Sequence, residues 1–138
     1  MLDTEPSHLF VYGTLRPGLA PPLIAEVVGR TSVVGAATVC GKLYHLGAYP
    51  GCKLEEEGGD VIHGMVLTIP DAATLARLDW YEDYVASDAA GSLFVRRRAV
   101  ARLEGGGEMA VWVYEYNRSV FTARLIASGR YDRGHEEE

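Results

Sequence analysis

Between Leu9 and Gly18 the chain reads Leu-Phe-Val-Tyr-Gly-Thr-Leu-Arg-Pro-Gly, and no other stretch restricts the fold as much. Apolar and β-branched residues run without a break into Tyr12. Gly13, Pro17 and Gly18 follow at once, so the segment predicts a buried strand that ends in an ordered turn. Gly13 allows either a positive φ or a close backbone approach. Pro17 fixes its own φ and biases Arg16 toward an extended conformation. A loop with so few conformations could present the amides of Thr14 and Leu15 together to an anion or a carbonyl oxygen. The same residues also fit an ordinary strand exit.

The rest of the chain repeats this pattern of short apolar runs cut by glycine. Sixteen glycines among 138 residues exceed the average of about 7% and favour turns and short strands over a helix bundle. Strands are expected at His8–Tyr12, Val61–Ile69, Leu93–Leu103 and Met109–Tyr116, the last two joined by a glycine-rich hairpin at 104–108. Thr31–Leu46, broken by Gly35 and Gly41, reads as one long bent strand or two short ones. Gly47–Gly51 reads as a turn and Lys53–Asp60 as a mobile acidic loop. Leu19–Val28 has weak helical spacing, with Pro21-Pro22 confined to its first turn. A short helix is also expected around Phe121–Ile126.

The strongest helical signal follows Pro70, with Asp71 as N-cap and high-propensity residues through Leu78. Leu75 and Leu78 share a face, and Glu82 continues it one turn later. Asp79 and Asp83 are then able to face water. The expected architecture is α+β: a small mixed, mainly antiparallel β-barrel of five to seven strands with a few short flanking helices. One domain is expected to span residues 1–138, with 1–7 and 132–138 as flexible tails.

The net charge of −6 argues against nucleic acid or an anionic membrane as partner, since both require clustered Lys and Arg. Arg96-Arg97-Arg98 alternate across a strand, so they form no basic face; Arg96 could point inward and pair with an acid. Cys40 and Cys52 form no CxxC. No leader or membrane-length apolar run is seen, and the expectation is a cytoplasmic protein with free thiols. His8, His45, His63 and His135 stand apart in sequence, with no HExxH and no Cys/His cluster. No P-loop, GxGxxG or GxSxG motif occurs. No metal or cofactor is called for, and an enzyme built from these residues would work without a protein nucleophile.

Glu82 suits such a mechanism. A carboxylate on an apolar face between Tyr81 and Tyr84 has its charged form disfavoured, so its pKa should rise toward neutrality, where a general acid/base works best. From its own residues, Glu82 also fits a frayed helix end in water or a partner for an arginine.

The motifs fall in a recognisable order. Val11-Tyr12-Gly13-Thr14-Leu15-Arg16-Pro17-Gly18 resembles the YG[ST]L signature of the γ-glutamylcyclotransferase-like superfamily, which includes AIG2-like proteins and γ-glutamylamine cyclotransferases. Gly41–Gly47 with Tyr49-Pro50 is similar to its G-x-LY-x-LG-x-YP segment, and Val61–Gly64 to its V-x-G strand. Leu78-Asp79-Trp80-Tyr81-Glu82 is similar to its LD-x-YE, in which the Glu is catalytic. Leu93–Arg96, Ala110–Tyr114 and Leu125–Gly129 resemble three further segments, so the likeness spans about residues 8–131. There are two departures. Asp83 stands where the family often has Gly, and Arg130-Tyr131 follow the closing Ser-Gly where Asp and Trp are frequent.

The resemblance implies a small barrel in which Glu82 and the loop residues Tyr12, Gly13, Thr14 and Leu15 face one cavity. It implies an enzyme that cyclises a γ-glutamyl group to 5-oxoproline and releases an amine or amino acid, with a small γ-glutamyl compound as its substrate. Two alternatives are an enzyme of the same fold acting on another γ-glutamyl-like amide, and a non-catalytic small-molecule-binding protein that keeps the cavity.

Overall fold

The computed structural model describes residues 5–56 and 58–131. The tails expected at 1–7 and 132–138 lie outside that range except for residues 5–7, where the Ser7 carbonyl accepts from the Ile69 amide at 2.8 Å. Seven strands and two α-helices follow in the order β1 His8–Val11, α1 Pro22–Val28, β2 Ser32–His45, β3 Pro50–Leu54, β4 Val61–Thr68, α2 Ala72–Tyr81, β5 Phe94–Leu103, β6 Glu108–Tyr116 and β7 Arg124–Leu125. A 3₁₀ segment, Ala86–Gly91, joins α2 to β5.

The sheet order is β3-β2-β4-β1-β6-β5, and a short β2–β5 pairing at Ala37–Leu103 and Thr38–Arg102 closes five of the strands into a barrel. β1 runs parallel to β6 and antiparallel to β4. β3 and β7 lie outside the barrel, both on β2. This is the mixed, mainly antiparallel barrel with flanking helices expected from the sequence.

β1 is central and buried on both faces, which is why it reads as an unbroken apolar run rather than an alternating one. Phe10 and Tyr12 point into the barrel with Val39, Ile62, Val111 and Val113. Leu9 and Val11 point outward and pack with Ile24, Val27 and Leu78 from the two helices. β1 therefore divides two apolar cores, and the loop that leaves it emerges at their boundary.

α2 begins as expected: the Asp71 carboxylate accepts from the Thr74 amide at 2.8 Å and its hydroxyl at 2.7 Å. Leu78 is fully buried. The helix ends in a Schellman arrangement, with the Tyr84 amide donating to the Asp79 carbonyl and the Asp83 amide to the Trp80 carbonyl. This closure requires a left-handed residue, and Asp83 takes φ 59°.

The structure corrects three expectations. Lys53 and Leu54 belong to β3, which occupies the end of the expected turn and the start of the expected loop. Pro50 opens that strand, a position where its missing N–H is tolerated, and pairing with β2 overrides the poor strand propensity of its residues. No helix forms at Phe121–Ile126. Phe121 is 93% exposed, and Arg124–Leu125 pair with the end of β2 instead, so the segment lacks a buried face to hold a helix. Thirdly, Asp79 does not face water, as described below. Of the alternatives for Thr31–Leu46, the single bent strand is found. Its register shifts between Val33 and Gly35, and it trades β4 for β3 as partner near Gly41.

Candidate active site

The loop after β1 and the end of α2 meet over one cavity. It holds about 240 Å³ and is lined by Tyr12, Gly13, Thr14, Leu15 and Glu82, together with Tyr49, Pro50, Tyr81, Leu93, Phe94 and Tyr114. All five candidate site residues share this wall.

Gly13 is there for closeness rather than for a positive φ. A Cβ at this position would meet Pro50 Cγ at 2.6 Å, so the Tyr49-Pro50 turn seats directly on the loop. The loop then turns back on itself, with the Arg16 amide donating to the Gly13 carbonyl at 3.1 Å. The Arg16 guanidinium donates to the Tyr131 carbonyl at 2.7 Å and pins the loop to the segment that follows Ser128-Gly129. The amides of Thr14 and Leu15 donate to no backbone carbonyl among the described residues. The Leu15 side chain is buried in the outer core, so only its backbone is free to meet a ligand. Tyr12 is buried too, and its hydroxyl donates to the Tyr114 carbonyl at 2.7 Å. Tyr12 therefore contributes its ring to the wall rather than a mobile hydroxyl.

Glu82 caps α2, its amide bonded to the Leu78 carbonyl at 3.0 Å. Its side chain is half-buried in the cavity wall, among aromatic rings. Burial alone pushes its carboxyl up to about 8. The Glu82 charge is felt in turn at Tyr12, Tyr49, Tyr81 and Tyr114, whose phenols are raised first by burial and then in part by this carboxylate. Of the alternatives open in the sequence, neither a frayed end in water nor an ion pair describes it: no basic partner of Glu82 is seen among the described residues. The neighbouring Asp83 is exposed and is not among the causes of the Glu82 shift.

Asp79, which the helix pattern leaves able to face water, lies one turn before Glu82 and faces inward instead. Its Oδ1 accepts from Arg96 Nε at 2.9 Å and from the Tyr114 hydroxyl at 2.6 Å. Arg96 is the inward member of the arginine run, paired with an acid as its position in the strand allows. Its guanidinium lies 4.2 Å from the Trp112 ring centroid. The i, i+3 spacing of Asp79 and Glu82 was the available signal, since it places two carboxylates on adjoining faces.

Apart from this cavity, Cys52 is buried, and burial pushes its thiol up to about 12. No helix among the described residues is long and apolar enough to cross a membrane.

Comparison with known proteins agrees with this construction. A curated relative, the gamma-L-glutamyl-butirosin B gamma-glutamyl cyclotransferase of Niallia circulans, is 33% identical over 112 residues, covering 80% of this chain and 67% of that protein. An AIG2-like protein from Mus musculus superposes with a TM-score of 0.71 at 20% identity, over 94% of this chain and 90% of the other. YkqA from Bacillus subtilis superposes with a TM-score of 0.68 at 21% identity, over 91% of this chain but only 39% of YkqA. The two structures establish the fold. Residues 9–133 match the family described as gamma-glutamyl cyclotransferase, AIG2-like, and with that match spanning both halves of the cavity wall, the chain belongs to this family.

Proposed function

We propose that the protein cyclises a small γ-glutamyl compound to 5-oxoproline and a free amine or amino acid, with Glu82 as the proton carrier. The observation that carries this reading is a carboxyl without a basic partner among the described residues, pushed up to about 8 by burial, facing the same 240 Å³ cavity as the loop amides. The substrate's own α-amine is the nucleophile. Its nitrogen attacks the γ-carbonyl carbon, and Glu82 takes the proton that the nitrogen sheds as the tetrahedral intermediate forms. The same carboxyl then delivers that proton to the leaving nitrogen as the old C–N bond breaks. No water is consumed and Glu82 ends as it began.

An intramolecular attack of this kind reaches effective molarities of about 10⁵–10⁸ M when the reactive rotamer is held. The cavity's rigid walls suit that task. The amides of Thr14 and Leu15 are the natural donors to the developing oxyanion or to the substrate carboxylate. Tyr12, Gly13, Thr14 and Leu15 are thus proposed to bind the γ-glutamyl end.

Incubation with γ-glutamyl amines, γ-glutamyl dipeptides and glutathione, with 5-oxoproline as the readout, tests this directly. Product from at least one class is expected, lost in E82Q. No product from any, together with an E82Q variant that binds the same compounds as wild type does, points instead to a binding protein of this fold.

A further inference from the structure

Side-chain hydrogen bonds link Arg96, Asp79 and Tyr114 from the outer core to the cavity wall, and the backbone of Tyr114 is held in turn by Tyr12. Asp79 Oδ1 takes both the Arg96 Nε–H at 2.9 Å and the Tyr114 O–H at 2.6 Å. The Tyr114 carbonyl takes the Tyr12 hydroxyl at 2.7 Å. These bonds tie α2, β5, β6 and the end of β1 together at the point where Glu82 projects.

Arg96 is held unusually. Its guanidinium stacks 4.2 Å from the Trp112 centroid and 5.5 Å from that of Tyr84, yet its Nη1 is buried without a hydrogen-bond partner among the described residues. Leaving a buried donor unmatched is unfavourable, so stability alone does not account for the group. Its consistent effect is on Asp79, whose carboxylate it fixes and whose charge it balances. Asp79 in turn fixes Tyr114. A phenol has one proton, and Tyr114 commits it to Asp79, so the oxygen has only acceptor capacity left. Donation to a carboxylate also makes that oxygen a better acceptor. Burial and Asp79 both raise the phenol, which therefore stays protonated at any working pH.

We propose that Asp79 is a positioning residue: through Tyr114 it presents a fixed hydrogen-bond acceptor beside Glu82 that aligns an N–H of the attacking amine. The proposal rests on the cyclisation reading above. With one N–H held by Tyr114, the amine's lone pair is aimed at the γ-carbonyl while Glu82 receives the proton. Arg96 acts one step further out by holding Asp79, and its side chain does not line the cavity.

The test compares D79N, D79N/R96M, Y114F and E82Q with wild type on whichever γ-glutamyl compound yields 5-oxoproline fastest, measuring kcat and KM separately. Because misplacing a reacting group by about 1 Å costs about 10²-fold, D79N and Y114F are each expected to lose about 10²-fold in kcat with KM little changed. D79N strands the Arg96 charge and can misfold on that account. D79N/R96M removes both charges, which commonly restores stability, and is expected to regain the wild-type melting temperature without regaining kcat. Adding Y114F to it should cost little more, since the residues act as one unit. Recovery of kcat along with stability in D79N/R96M overturns the proposal, as does wild-type kcat in Y114F. E82Q separates the two levels. An inactive E82Q beside fully active D79N/R96M and Y114F sinks only the positioning role, whereas an active E82Q sinks the acid/base reading itself.

Discussion

Asp79 and Glu82 are two carboxylates at the end of the same helix, and the protein treats them in opposite ways. Asp79 is matched by Arg96 and Tyr114, all three largely withdrawn from water. Glu82 faces largely aromatic and apolar walls with no basic partner among the described residues, and its carboxyl is pushed up to about 8. A matched carboxylate holds its surroundings in place through its charge-assisted hydrogen bonds. An unmatched one in an apolar wall is a strained charge and a comfortable acid, so it exchanges protons at physiological pH. Sequence distance and helix position are nearly the same for both. What differs is the neighbour that the fold supplies from β5 and β6.

The largest expected effect of breaking this contrast is on turnover. E82Q keeps the size and hydrogen bonding of the side chain and loses its proton, so 5-oxoproline formation should fall about 10²–10⁴-fold, as read from initial rates. Substrate affinity, measured by calorimetry, should change far less.

The two carboxylates should also give opposite signs in stability. Removing the charge of Asp79 leaves Arg96 uncompensated under Trp112, and D79N should lose about 2–3 kcal/mol in urea unfolding at pH 7, below the full cost of a fully buried pair because both side chains keep some exposure. E82Q should gain. Between its ordinary value near 4.5 and about 8, the native Glu82 holds a proton that the unfolded chain has released. Native stability therefore falls as pH rises through that window. E82Q lacks this slope and should be more stable than wild type by about 1–3 kcal/mol at pH 9, the figure reduced for the partial exposure of the group. The two should converge near pH 4. A wild-type curve parallel to that of E82Q from pH 4 to 9 would show that Glu82 is not strained in the native state.

The same value shapes the rate. Proton acceptance needs the ionised form, so kcat/KM should climb with pH and level off above about 8. With a pKa near 8, about a tenth of the carboxyl is ionised at pH 7, and the gain from pH 7 to 9 should approach tenfold. A profile flat from pH 5 to 8 would assign the proton transfer to another group.

How far this contrast could be read from the sequence depends on what fixes each part. Asp71, Leu75, Leu78 and Glu82 were legible because a capped helix sets their relative directions locally. The strand Leu9–Tyr12 was legible because burial on both faces leaves an unbroken apolar run. Asp79 was not, because its inward orientation depends on Arg96 and Tyr114, which arrive from strands 17 and 35 residues away. β3 was hidden for a similar reason: Pro50, Gly51 and Lys53 are poor strand formers, and only the pairing with β2 makes them one. Gly13 was recognisable as special, but its partner Pro50 was not.

The smallest expected effect concerns the residue after Glu82, where this chain has Asp and the family often has Gly. Asp83 takes φ 59° to complete the Schellman turn that ends α2. The position asks for a left-handed backbone, which glycine adopts freely and Asp tolerates better than most residues. Its carboxylate is exposed and takes no part in the Glu82 shift. D83G should therefore leave kcat and its pH profile unchanged and raise stability by up to about 1 kcal/mol, the relief of left-handed strain being partly offset by a freer unfolded chain. D83V puts a β-branched residue at the same φ and should destabilise by more than D83G stabilises. If D83G instead moves the alkaline plateau, the Asp83 charge acts on Glu82 after all, and the strained carboxyl owes part of its height to a like charge rather than to burial alone.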